Sequence, residues 1–144
     1  MKLLNSELSE PSFAIELVGP GFVWDLHNSG DFLGLELRAD DNTAIMRWTV
    51  GGYSAAKYSG CELVFRNLKL IIVSERDQEL PLSEDTCISG ISKIVPDGGI
   101  KTEYRTRHHW SADDSFHLFF KFQSQRTIEI DAETVELLGI PRAG

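Results

Sequence analysis

The chain lacks the short motifs that usually betray a reaction. It contains no HExxH, no paired CxxC, no GxSxG, and neither a GxGxxG nor a GxxxxGKS/T frame. Zinc hydrolysis, serine nucleophilic catalysis and phosphate cradling therefore have no local signature here. Gly19-Pro20-Gly21 and Gly51-Gly52 are glycine-rich, but turn chemistry accounts for both. Only two cysteines, Cys61 and Cys87, occur in 144 residues, which excludes the dense disulfide framework of a small secreted domain. Both read as reduced thiols, and Cys61, at the start of an apolar strand, reads as a small buried hydrophobe. No apolar run approaches the ~20 residues of a membrane helix, since even Leu68 to Val73 is broken by Lys69. After Lys2, Leu3 and Leu4 come Asn5, Ser6, Glu7, Ser9 and Glu10, where a signal peptide needs an apolar core. A cytoplasmic location is the expectation. Basic residues are also scarce, 14 against 22 acidic ones, for a net charge of −8. A field of that sign repels nucleic-acid backbones and speeds association with a basic protein.

What the sequence has in quantity is alternation. Leu118, Phe120 and Phe122 alternate with His117, Phe119 and Lys121; after Ser124-Gln125, Ile128 and Ile130 resume the pattern against Thr127, Glu129 and Asp131. A period of two, a polar break and the same period again describes an antiparallel hairpin with one buried face. A second hairpin is expected where Leu33, Leu35 and Leu37 share one face and Ala44, Met46, Trp48 and Val50 follow Asp40-Asp41-Asn42. Phe13, Ile15 and Leu17 suggest a strand ending at Gly19. From Cys61 to Val73 the apolar parity changes at Arg66-Asn67, which predicts a β-bulge. Ser74 to Glu84 is polar and reads as an exposed loop. Cys87 to Val95 is either a strand or a short helical turn, as is Glu133 to Leu138. Ile100 to Trp110 reads as a charged edge strand.

With hydrophobic residues at 42% and charged residues at 25%, the composition is that of a globular protein rather than a disordered chain. The expectation is one all-β domain spanning residues 1–144: an antiparallel sandwich or partly open barrel of about seven to nine strands. Residues 1–11 are expected to form a frayed arm or a short helix. Alternating rather than continuous apolar runs favour antiparallel pairing.

Candidate chemistry is thin. His108 and His109 are neighbours and point to opposite faces if extended, so a metal site would combine only one of them with His117 and with Glu103 or Asp113. Structural or surface histidines are the simpler reading, and neither metal nor cofactor is expected. Lys101, Arg105, Arg107, His108 and His109 form the one basic cluster, with Tyr104 and Trp110 within it. Basic plus aromatic can mean single-stranded nucleic acid, but the net charge opposes that, and a charged edge strand suffices. The acidic doublets Glu84-Asp85 and Asp113-Asp114 read as solvated loop positions. Trp24 and Trp110, next to polar loops, are the tryptophans expected to be partly exposed, whereas Trp48 shares the parity of Met46 and belongs to the core. Trp24, Asp25, Trp110, Glu84 and Asp85 are thus the candidate partner-binding residues.

Trp24-Asp25-Leu26-His27, the Leu33 to Leu37 strand, the run from Leu63 to Leu68 and the Phe120 to Leu137 stretch together resemble small bacterial β-rich domains of unknown function. Some of these are assigned as immunity proteins of polymorphic toxin systems. The resemblance implies a non-enzymatic cytoplasmic binder that blocks a basic protein through acidic surface. The competing reading is a β-barrel small-ligand carrier or enzyme, which requires an interior pocket. A third is a homodimer through an exposed strand.

Overall fold

A computed structural model describes residues 1–10, 12–51, 57–94 and 116–142. In chain order the strands are β1 (Lys2–Leu4), β2 (Glu7–Leu8), β3 (Glu16–Gly19), β4 (Phe22–Asp25), β5 (Gly30–Arg38), β6 (Thr43–Val50), β7 (Tyr58–Val73), β8 (Ile88–Ile94), β9 (His117–Phe122) and β10 (Thr127–Pro141). Among the described residues the one helical element is a 3-10 turn, Leu82–Asp85. The main sheet runs β5-β6-β7-β10-β9-β8 and curls into a half-barrel, with β1 added in parallel to β10. A second sheet, β2-β3-β4, contributes Leu8, Leu17 and Trp24 to the same hydrophobic cluster. The all-β, antiparallel expectation holds, in its partly open barrel form.

The two hairpins form where the alternation places them. In β6, Ala44, Met46 and Trp48 are completely buried while Arg47 and Thr49 face water. Asn42, at φ 55°, turns the chain between β5 and β6 and its side-chain amide donates to Leu68 O at 3.1 Å. In the second hairpin Gln125, at φ 70°, makes the corresponding left-handed step, and the Phe122 amide donates to Arg126 O at 2.9 Å. Asparagine tolerates this backbone region better than most residues.

The parity change in β7 falls at Arg66-Asn67, as the sequence predicts: Phe65 is buried, Arg66 and Asn67 are exposed, and Leu68 packs on the core. Asn67 has φ 53° and donates from Nδ2 to Glu133 Oε2 at 2.6 Å. β10 changes phase opposite it, between buried Ala132 and buried Val135, so the two strands kink together without losing register. The β-bulge expected at Arg66-Asn67 is not there: the ladder slips where Asp131 pairs with Leu70 and Ala132 with Leu68, leaving Lys69 as the extra residue, and again between Ile140 and Pro141.

Three expectations change and one open alternative closes. Residues 1–10 form β1 and β2 rather than a frayed arm or helix, because β10 and β3 offer them ladder partners. The Phe13 to Leu17 alternation holds only at its end: Leu17 is buried as expected, but the strand begins at Glu16, and before it Phe13 is 48% exposed while Ala14 is buried. A skip between Phe32 and Gly34 in the pairing with β6 removes Leu33 from the leucine face, and Phe32 instead stacks near Trp48 and Phe122 at 5.1 and 4.8 Å. Both ambiguous segments are strands, β8 and the last part of β10. The expected edge strand at Ile100 to Trp110 lies outside the described residues.

The concave side is filled. Trp48, Phe65, Phe116, Phe120 and Phe122 are among the fully buried side chains. Burial of each large apolar side chain stabilises the fold by roughly 1.5–3 kcal/mol.

Candidate functional site

One end of the half-barrel gathers polar groups from three segments. Asp25 ends β4 and organises the turn that follows: its carboxylate accepts from the amides of His27 (3.2 Å) and Asn28 (2.8 Å) and from Asn28 Nδ2 (2.9 Å). Carboxylate-to-backbone bonds of this kind fix a turn. They set His27 with Nδ1 2.6 Å from Ile88 O. A carbonyl can only accept, so Nδ1 carries the proton. Cys87 Sγ lies 3.8 Å from that same nitrogen and 4.0 Å from His27 O. His27 therefore cannot take the thiol proton at Nδ1. Burial, then the nearby carboxylates of Glu84 and Asp31, push the Cys87 thiol above its ordinary value. A reactive cysteine needs the reverse, an electropositive setting that favours thiolate. Beside this pair is an open cleft of about 360 Å³ lined by His27, Asn28, Ser29, Asp31, Thr49 and Gly51, among others.

The residues singled out from sequence meet different fates. Trp24 is 3% exposed, packed against Phe22 and Tyr58 at 4.5 and 4.8 Å between ring centroids. This corrects the expectation of partial exposure: the β2-β3-β4 sheet turns the indole into the core. Asp25 is taken up by its turn. Asp85 is a latch: Arg76 Nε donates to both of its oxygens at 2.9 and 3.0 Å while Nη2 donates to Leu80 O and Pro81 O. Burial alone would raise the Asp85 carboxyl, but hydrogen bonds from Ser124 and Arg76 outweigh it and hold the group below the usual range. Glu84 is half-buried and its carboxylate acts on the Cys87 thiol. Trp110, His108 and His109 lie outside the described residues.

His117 lies between two acids, with Nδ1 2.7 Å from Glu129 Oε2 and Nε2 3.4 Å from Asp131 Oδ2. Both are its cross-strand neighbours on β10. Among the described residues no three His, Cys, Asp or Glu side chains converge as a metal site. Cys61 is fully buried and its thiol is pushed up to about 12, by burial first and then by Glu62, matching its reading as a small hydrophobe. Sequence reasoning missed His27, Asp31 and Cys87 as a group, because 60 residues separate the imidazole from the thiol. It also missed Lys93, which is 5% exposed, with its ammonium 5.1 Å from the Phe116 ring centre. Burial pushes that amine down to about 8, partly offset by Glu7. A second cavity, about 290 Å³, lies over β8 and β9 between Phe13, Ser92, Phe119 and Lys121.

No family model, curated protein or solved structure matches this chain. Among the described residues no helix is long and apolar enough to cross a membrane.

Proposed function

We propose that this chain is a non-catalytic cytoplasmic binding protein that offers the acidic rim at Asp31 and Glu84 to a basic protein partner, in the manner of an immunity protein. The observation that carries the reading is electrostatic. Asp31 and Glu84 come from separate segments, and the carboxylates of both, after burial, raise the Cys87 thiol. Among the described residues the charged groups that act on Cys87 are both acidic. Such a rim speeds encounter with a basic surface and rejects acidic ones. The filled half-barrel supports a binder over a small-ligand carrier, since a carrier of this architecture needs interior volume.

Affinity capture on the full chain from the native host, read by mass spectrometry, tests the proposal. A basic protein should be retained at low salt, and its association rate should fall steeply as salt rises. The Asp31→Lys, Glu84→Lys double variant should lose that protein while keeping the fold. Recovery of the chain with a bound small molecule and no protein overturns the reading, and so does capture that the charge reversal leaves unchanged.

A further inference from the structure

Three pieces of chain wall the cleft beside His27: the turn from His27 to Gly30, Asp31 at the start of β5, and Thr49 to Gly51 at the end of β6. They are tied together. The Asp25 carboxylate pins the turn, the Gly51 amide donates to Ser29 O at 2.7 Å, and Asp31 pairs directly across the ladder with Thr49. Val50 is buried, whereas Asn28, Asp31 and Thr49 are exposed. At Gly51 a Cβ would meet nothing closer than Ser29 O at 3.8 Å, so the missing side chain leaves space there. The polar groups of the walls can all accept. Asn28 spends Nδ2 on Asp25, which leaves its Oδ1, and Ser29 and Thr49 offer hydroxyl oxygens. His27 directs Nδ1 to Ile88 O, so the neutral ring keeps a lone pair at Nε2. Asp31 adds a full negative charge. No lysine or arginine is among the described residues that line the cleft, and no ion pair within the described residues engages Asp31. Elsewhere the chain answers its own carboxylates: Arg47 meets Glu36 and Glu62, Arg66 meets Glu136, and Arg76 meets Asp85.

The geometry points to a guanidinium site: an arginine side chain of the basic protein partner enters this cleft, with its fork on the Asp31 carboxylate and its other N–H groups on Asn28, Ser29 and Thr49. This rests on the reading of this end as a docking face for a basic protein, and it names the group that protein presents. Size favours one side chain. At about 360 Å³ the cleft is at the small end of the ~300–1,000 Å³ range of ligand sites. Shape and hydration favour arginine over lysine. An ammonium is compact and strongly hydrated, and an open cleft leaves its water in place. A guanidinium is planar, weakly hydrated and donates through five N–H groups, which matches acceptors spread over three walls around one carboxylate. Because backbone bonds fix those walls before docking, little ordering opposes binding.

Titration of the isotope-labelled full chain with Nα-acetyl-arginine methylamide, followed by amide NMR shifts, tests the site without the partner. Saturable shifts should appear at Asn28, Ser29, Asp31 and Gly51, with a Kd of about 1–10 mM. The lysine counterpart should bind about threefold or more weakly. Asp31→Asn should weaken the arginine probe about tenfold or more. Thr49→Arg sets a guanidinium opposite Asp31 in the chain itself and should do the same, with the rest of the spectrum retained. Asp40→Asn makes the same change of charge at the far end of the β5–β6 hairpin and should leave the probe's affinity unchanged. Shifts that never saturate or that lie elsewhere overturn the inference, as do equal binding of the two probes and an Asp40→Asn loss that matches Asp31→Asn. Free arginine binding about tenfold tighter than the blocked probe would make the ligand a small molecule and overturn it as well. Capture of a basic protein with no binding of the probe would remove the guanidinium site and leave the docking face standing. Binding of the probe with no capture would do the reverse.

Discussion

Replacing Phe120 by alanine tests the filled half-barrel directly. Phe120 is fully buried on β9, paired across the ladder with Ile128 on one side and Ile91 on the other. Its ring centre lies 6.1 Å from Trp48 and 6.3 Å from Phe65, so it joins strands far apart in the sheet order. Truncation loses the transfer free energy of the ring and leaves a cavity whose walls are held by the backbone ladder. The expected cost is about 3–5 kcal/mol. Against a total of roughly 5–15 kcal/mol for a domain, that is a large fraction of the stability. With a shift of about 2–4 °C per kcal/mol for a domain of this size, the thermal midpoint should fall by roughly 6–20 °C. Leu82→Ala, at a side chain 74% exposed, is the control and should stay within about 0.5 kcal/mol. Calorimetry of the three proteins under one buffer decides the matter. A loss below about 1 kcal/mol for Phe120→Ala would mean that the ring faces a pre-existing void, and the packing argument would fail.

Two further outcomes follow from local geometry. At Gly60 a methyl group would collide with the Trp48 carbonyl oxygen in the β6 ladder, whereas at Gly90 the nearest atoms it would meet belong to the half-exposed Phe13 ring. Gly60→Ala should therefore cost about 1–3 kcal/mol or more and Gly90→Ala distinctly less, as read by urea denaturation; equal costs would refute the contrast. The Asp85 carboxyl titrates lower folded than unfolded, so its contribution is present above the unfolded value and is lost as pH falls through the folded one. Asp85→Asn should lower stability at neutral pH and flatten the acid limb of the stability curve, and an unchanged acid limb would contradict the latch.

Legibility tracked the range of the interaction. The β6 face and the β9–β10 hairpin could be read because a period of two is a local consequence of one buried side, and the kink at Asn67 because a parity change survives in the sequence. β1 and β2 could not: three- and two-residue strands exist only through partners on β10 and β3. Leu33 looked like a core residue until the skip before Gly34 handed the buried position to Phe32. Trp24 looked exposed because the loop after it is polar, while its burial depends on Tyr58. Of the candidate site, Glu84 was visible as a loop acid. The apposition of His27, Asp31 and Cys87 depends on where β5 and β8 end, which no local pattern records.

Site-resolved alkylation of Cys87 as a function of pH tests most directly the claim that this end of the molecule is negative and chemically quiet. The onset of labelling should lie above that of an unstructured cysteine peptide, and the Asp31→Asn, Glu84→Gln variant should move it part of the way back. Onset at or below that of the peptide, or an onset that ignores the loss of both carboxylates, would contradict the account.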